Sequence, residues 1–165
     1  TGDANIFGLE SLIDFNLRKI FGLNSTYIFN TFLNFSAIDS EYISSDEPGV
    51  EGKEVEFVPK FNIKYGIKFG YKNFTSYFQY SFLSSQFSDS SNSLESNLSG
   101  VIGQIPAYDI LDLSMNYKFG KIKLETGVNN ILNNFYFTRR ATGYPGPGII
   151  PSPPRNYYMT LQYKF

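Results

Sequence analysis

The sequence predicts an all-β fold, an antiparallel up-and-down meander, and three observations point to it. Apolar and polar residues alternate along most of the chain, the period of two required by a strand with one apolar and one wet face. Seven such segments occur, and the connections between them alternate strictly between short and long. Aromatic residues make up 18% of the 165 residues, from 17 Phe and 13 Tyr with no Trp, and such rings suit a pleated, half-buried surface.

In the first segment Phe7, Leu9, Ile13, Phe15 and Leu17 oppose Gly8, Glu10, Asp14, Asn16 and Arg18. The second sets Tyr27, Phe29, Leu33, Phe35 and Ala37 against Asn30, Asn34 and Ser36. The third has the clearest alternation, with Phe57, Pro59, Phe61, Ile63, Tyr65, Ile67 and Phe69 on one side and Val58, Lys60, Asn62, Lys64, Gly66 and Lys68 on the other. Phe74, Phe78, Tyr80 and Phe82 face away from Thr75, Gln79 and Ser81 in the fourth. After a long polar stretch, Leu111, Leu113, Met115, Tyr117 and Phe119 oppose Asp112, Ser114, Asn116 and Lys118. Ile122, Leu124, Thr126 and Val128 then alternate with Lys123, Glu125 and Asn129. The last segment sets Tyr157, Met159, Leu161, Tyr163 and Phe165 against Asn156, Thr160, Gln162 and Lys164. No stretch shows a convincing helical period.

The short connections are residues 19–24, 70–73 and 120–121; the long ones are 43–56, 84–107 and 138–154. A meander so connected has tight turns at one end and long loops at the other. Outer-membrane barrels are built this way, with short periplasmic turns and long extracellular loops. A soluble barrel or sandwich produces the same alternation with its apolar face turned into a core. Two features favour the membrane. The wet face is mostly Asn, Ser, Thr and Gly, and aromatics recur near strand ends (Phe57, Phe69, Tyr108, Tyr117, Phe119, Tyr157, Phe165), where interfacial girdles lie. Each strand is expected to hold at least the roughly 9–11 residues that cross the hydrocarbon at a tilt. Seven strands would leave two unpaired edges in lipid, so the chain is expected to be part of a larger barrel.

Composition narrows the chemistry. With no Cys and no His there is no disulfide, thiolate nucleophile, imidazole relay or zinc site, so no catalytic residue, metal or cofactor is assigned and an enzyme is not expected. Fourteen basic residues against 15 acidic ones leave no basic face for nucleic acid. No apolar run approaches the 18 or more residues of a transmembrane helix, and residues 1–5 carry no signal-peptide pattern. A mean hydropathy of −0.21 alone would suggest a soluble protein; the alternation argues otherwise.

The last third carries a specific pattern. Gly103-Gln104-Ile105-Pro106-Ala107-Tyr108 is followed by Asp112, then Gly127-Val128-Asn129-Asn130-Ile131-Leu132 and Tyr136, then Pro154-Arg155 and a terminal Tyr-x-Phe. In this order and spacing the residues resemble the C-terminal end of TonB-dependent outer-membrane receptors. Gly8-Leu9-Glu10 and Pro59 also sit where that family tends to place them.

The resemblance implies a barrel of about 22 strands around an N-terminal plug, located in the Gram-negative outer membrane. Such receptors import scarce nutrients, most often ferric chelates such as siderophores or ferric citrate, on energy from the TonB complex. Residues 1–165 would supply the last seven strands, with plug and TonB box absent from this chain. The expected partners are outer-membrane lipid, the TonB complex through the missing part, the barrel-assembly machinery and a ferric chelate. Tyr157, Met159, Leu161, Tyr163 and Phe165 resemble the C-terminal signal that the assembly machinery recognises. The absence of His disfavours haem as ligand. A soluble β domain binding glycan or protein, and a passive outer-membrane channel, are the alternatives.

Ligand contact is expected in the loop 138–154, at Arg139, Arg140 and Tyr144. Adjacent guanidiniums suit a carboxylate- or phosphate-bearing ligand, and the Pro/Gly turns stiffen the loop. Lys60, Lys64 and Lys68 are expected to line the lumen with Glu10 and Asp14, either guiding anions or pairing with those carboxylates. The acidic residues Asp46, Glu47, Glu51, Glu54 and Glu56 lack the ligand spacing of a calcium loop. The Ser/Asn-rich residues 84–99 are expected to be mobile.

Overall fold

The computed structural model describes residues 2–143 and 146–165. Its main body is one seven-stranded antiparallel sheet. The strands are β1 (Gly2–Phe15), β2 (Tyr27–Ser45), β3 (Phe61–Tyr71), β4 (Phe74–Leu83), β7 (Tyr108–Phe119), β8 (Ile122–Asn129) and β11 (Asn156–Tyr163). They pair in chain order, so the sheet is a meander with β1 and β11 as its edges among the described residues. Two small ladders lie within the long loops: β5 (Gln86–Phe87) pairs with β6 (Gln104–Ile105), and β9 (Phe137–Ala141) with β10 (Gly148–Pro151).

The pairing register keeps each sequence face continuous across the sheet. Leu33 stands opposite Tyr65, which stands opposite Tyr80, which stands opposite Leu111. On the other face one row runs Asp14, Phe32, Gly66, Gln79, Asp112. A one-residue slip would exchange the two faces, so the alternation sets the register. The apolar face carries no second layer among the described residues: Phe7 is 69% exposed, Tyr157 72% and Met159 76%. A soluble sandwich buries that face against another sheet about 10 Å away. What this sheet buries lies under the loops instead, at Val50, Ile105 and Ala141.

Four details differ from the sequence expectation. The first strand stops at Phe15, and α1 (Leu17–Ile20) makes a single helical turn in the short connection. Asn16 caps it, accepting from the Lys19 N–H at 3.1 Å, so Leu17 and Arg18 belong to a turn. The third strand starts at Phe61 because Phe57 has a φ of 60° and donates its N–H to the Phe87 carbonyl, so Phe57 and Pro59 lie in the loop. Strands β8 and β11 hold 8 residues each, fewer than expected, because the Asn129-Asn130 turn ends β8. Tyr108 stands on the wet face, opposite Leu83, and stacks on Tyr136 at 4.6 Å, so it is not a girdle residue.

Glycines on the wet face admit large rings. A Cβ at Gly66 would collide with Phe32, whose ring stacks on that of Tyr77 at 6.2 Å. A Cβ at Gly127 would lie 2.5 Å from Cε1 of Tyr158, its cross-strand neighbour. Glycine inside a strand marks such close approaches.

Candidate functional site

All three long connections leave the same end of the meander, and side-chain hydrogen bonds tie them together. From the β2–β3 connection, Glu54 is held at its backbone by Asn92, which accepts from the Glu54 N–H at 2.7 Å and donates to its carbonyl at 2.8 Å. The Tyr42 hydroxyl donates to Glu56 at 2.6 Å. Within the β4–β7 connection, Asp89 accepts from the Ser91 hydroxyl, the Ser93 N–H and the Gly103 N–H. Burial opposes ionisation of Asp89, but these hydrogen bonds outweigh it and hold its carboxyl below the usual range. Asn97 accepts from the N–H groups of Val101 and Ile102. The Ser/Asn-rich stretch expected to be mobile is thus organised by its own polar side chains.

The two adjacent arginines stand in different surroundings. Arg139 is exposed and helps line a shallow depression with Arg140, Ala141, Thr142 and Gly143. Arg140 is buried, 9% exposed. Its Nη1 donates to Ser96 Oγ at 2.9 Å and to the Gly100 carbonyl at 2.8 Å, and its Nη2 to the Gln104 carbonyl at 2.8 Å. Its guanidinium carbon sits 5.2 Å from the centre of the Phe137 ring. Tyr144 lies outside the described residues.

Of the three lysines expected along the lumen, two lie within β3 and one precedes it. Lys60 precedes β3 and pairs with Glu54 at 2.6 Å, a hydrogen-bonded contact that raises its pKa above the ordinary value. Lys64 lies between Asn34 and Ser81 on the wet face, and Lys68 between Asn30 and Tyr77. Glu10 stands opposite Ser36 and Asp14 opposite Phe32 on the same face. Among the described residues neither lysine reaches either carboxylate within ion-pair distance.

Some of the patterned residues of the last third, Asp112, Asn130 and Arg155 among them, meet in one knot. Asn130, 3% exposed with a φ of 53°, donates its backbone N–H to Asp112 Oδ1 at 2.8 Å. Its side chain accepts from the Asn134 N–H and donates to the Asn134 carbonyl. Asn134 reaches the Asp109 carbonyl and carboxylate, and Asn133 accepts from the Arg155 N–H. This knot turns the chain out of β8 and into the last long loop. The motif is therefore a shaping element beside the loops. At the terminus, Tyr157, Met159, Leu161 and Tyr163 share the apolar face of edge strand β11, and the Phe165 ring meets that of Tyr163 edge-on at 5.1 Å.

Sequence reasoning missed the acceptors of Arg140 and the organising roles of Asp89 and Asn92. Their partners lie 36–44 residues away for Arg140 and 38 for Asn92, so no local pattern signals them.

Residues 1–131 match the family described as TonB dependent receptor-like, beta-barrel. Among solved structures, the unliganded ferric citrate transporter FecA is similar over 99% of this chain and 25% of its own, with 26% identity and a TM-score of 0.86. The ferric yersiniabactin uptake receptor FyuA from Yersinia pestis is similar over 99% of this chain and 24% of its own, at 16% identity and TM-score 0.76. The siderophore receptor PiuA from Acinetobacter baumannii covers 99% of this chain with 22% of its own, at 17% identity and TM-score 0.74. The last two likenesses concern the fold alone. This chain spans about a quarter of the length of these structures.

Proposed function

We propose, from the premise that this chain belongs to the TonB-dependent receptor β-barrel family, that it forms seven strands of an outer-membrane transporter importing a ferric chelate. The observation that carries this reading is the sheet itself. Among the described residues it has one layer, a bare apolar face, a polar face opposite and the long loops at one end, and it is similar to the FecA structure over 99% of the chain.

In this reading the apolar face meets lipid, because exposed rings and aliphatic chains at this density are stable only against hydrocarbon or another protein. The wet face lines the lumen, and the loops meet the chelate outside the cell. Arg139 is the guanidinium free to contact a carboxylate-bearing chelate, with Tyr144 five residues further along the chain, while both terminal nitrogens of Arg140 are engaged by protein oxygens. Lys64 and Lys68 offer cations along the lumen wall. Plug and TonB-contacting segment belong to the rest of the receptor, and energy from TonB drives release of the chelate inward. The apolar side chains from Tyr157 to Phe165 present the edge that the barrel-assembly machinery engages. The protein performs no bond chemistry.

The test is uptake of radiolabelled iron, supplied as ferric citrate, by cells dependent on the full receptor. Uptake that requires both the receptor and an energised inner membrane supports the proposal. Uptake unaffected by collapsing the membrane energy would make the protein a passive channel.

A further inference from the structure

We infer that Arg140 fastens the β4–β7 loop and the β9–β10 hairpin into a single rigid wall, leaving Arg139 as the one guanidinium of the pair that the ligand meets. The inference rests on the ferric-chelate reading for its second half only; the first half stands on geometry.

Successive residues of a strand point to opposite sides, so the pair divides between two environments. Arg140 points from β9 into the arc of residues 96–104 and spends three donors there, on Ser96, Gly100 and Gln104. The planar guanidinium suits this task because its fork reaches acceptors on two sides at once, which a Lys ammonium on a flexible stem does not reproduce. Phe137, three residues earlier on the same strand, closes the other side of the group.

The backbones also approach closely. A Cβ at Gly100 would lie 3.2 Å from the Gly148 Cα, and one at Gly148 would lie 3.3 Å from the Ser99 carbonyl oxygen. A Cβ at Gly103 would lie 3.2 Å from Arg140 Nη2 and 2.9 Å from the Glu95 carbonyl oxygen. Side chains at these glycines would hold the loops apart, so the closeness and the Arg140 hydrogen bonds depend on one another.

Charge gives the wall a further property. Among the described residues no carboxylate pairs with Arg140; neutral oxygens take its Nη1 and Nη2 donors, and its buried Nε has no hydrogen-bond partner. With no carboxylate in ion-pair contact, the charge of a buried cation is only partly offset in a medium that screens poorly. Together with exposed Arg139 it makes this part of the loop surface attractive to an anionic ligand.

The experiment uses the full receptor in lipid nanodiscs, with hydrogen exchange measured in residues 96–104 and 137–143, and ferric citrate as binding probe. Arg140→Ala is expected to speed exchange about tenfold or more in both segments together and to leave β3 unchanged. Arg140→Lys is expected to restore little of this, and Ser96→Ala, which removes one hydrogen bond, to loosen both segments to a smaller degree. Arg139→Ala is expected to leave exchange unchanged while weakening ferric citrate binding about tenfold. If Arg140→Ala misfolds, Ser96→Ala decides the matter. Loosening of one segment alone, or of neither, overturns the fastening. Equal loosening by Arg139→Ala overturns the division of roles. A wild-type receptor that does not bind ferric citrate overturns that choice of chelate, and the exchange pattern still decides the fastening.

Discussion

Tyr158 and Gly127 form a cross-strand pair in which the ring occupies the space where a side chain would stand: a Cβ on Gly127 would lie 2.5 Å from Tyr158 Cε1 and 2.6 Å from the Leu113 carbonyl oxygen. The second of those atoms is backbone and cannot swing away. Gly127→Ala is therefore expected to destabilise the barrel by about 1–3 kcal/mol, as overpacking does. Gly143, with nothing within 4 Å of its would-be Cβ, serves as the control, and Gly143→Ala is expected to change little. Urea titration of the refolded full receptor in detergent compares the two.

Gly66 makes a related prediction with a different remedy. The obstructing atoms there belong to side chains, Phe32 and the Tyr77 hydroxyl. Gly66→Ala should destabilise by about 1–3 kcal/mol alone. In a Phe32→Ala background its additional cost should fall below about 1 kcal/mol, since neighbours sharing a site are not additive. An equal cost in both backgrounds would contradict the proposed contact.

Asn130 combines a left-handed backbone with two side-chain hydrogen bonds to Asn134. Substitution by Ala loses both the bonds and the tolerance of that conformation, whereas Gly keeps the tolerance. Asn130→Ala is expected to cost about 2–4 kcal/mol and Asn130→Gly about 1 kcal/mol less, from the backbone strain and orphaned-donor costs combined. Equal costs would show that the φ of 53° carries no weight.

Acid should loosen the β4–β7 loop. The folded carboxyl of Asp89 titrates below its ordinary value because Ser91, Ser93 and Gly103 donate to it, with burial opposing them. The unfolded loop then binds more protons than the folded one as pH falls through the window from the ordinary carboxylate value down to the depressed one. The stabilisation is full above that window and is lost within it. Proteolysis or hydrogen exchange of residues 88–103 should accelerate across that range in the wild type and show a much smaller pH dependence in Asp89→Asn.

The seven sheet strands were legible because alternation is a local property, and one residue of slip would have placed Leu33, Tyr65 and Tyr80 on the wet face. The start of β3 was not. Phe57 and Pro59 keep the parity of Phe61, and only the pairing of the Phe57 N–H with Phe87 reveals that they lie in a loop. Lys60 shares the parity of Lys64 and Lys68 for the same reason, yet its partner is Glu54 in the preceding loop. Composition alone described residues 84–99 as a featureless Ser/Asn stretch, whereas Asp89, Asn92 and Asn97 each gather specific backbone groups. The difference between Arg139 and Arg140 depends on contacts about forty residues distant, beyond the reach of any local pattern.

The claim on which everything else depends is that the apolar face of this sheet meets lipid and the opposite face meets water. Because this chain has no Cys, single cysteines introduced along β11 in a cysteine-free full receptor can each carry a spin label, from Tyr157→Cys to Gln162→Cys in turn. In bilayers, labels at 157, 159 and 161 should be accessible to oxygen and shielded from a water-soluble nickel relaxant, and labels at 158, 160 and 162 should show the reverse. Loss of that alternation, or entry of the water-soluble relaxant at Met159 and Leu161, would contradict the account.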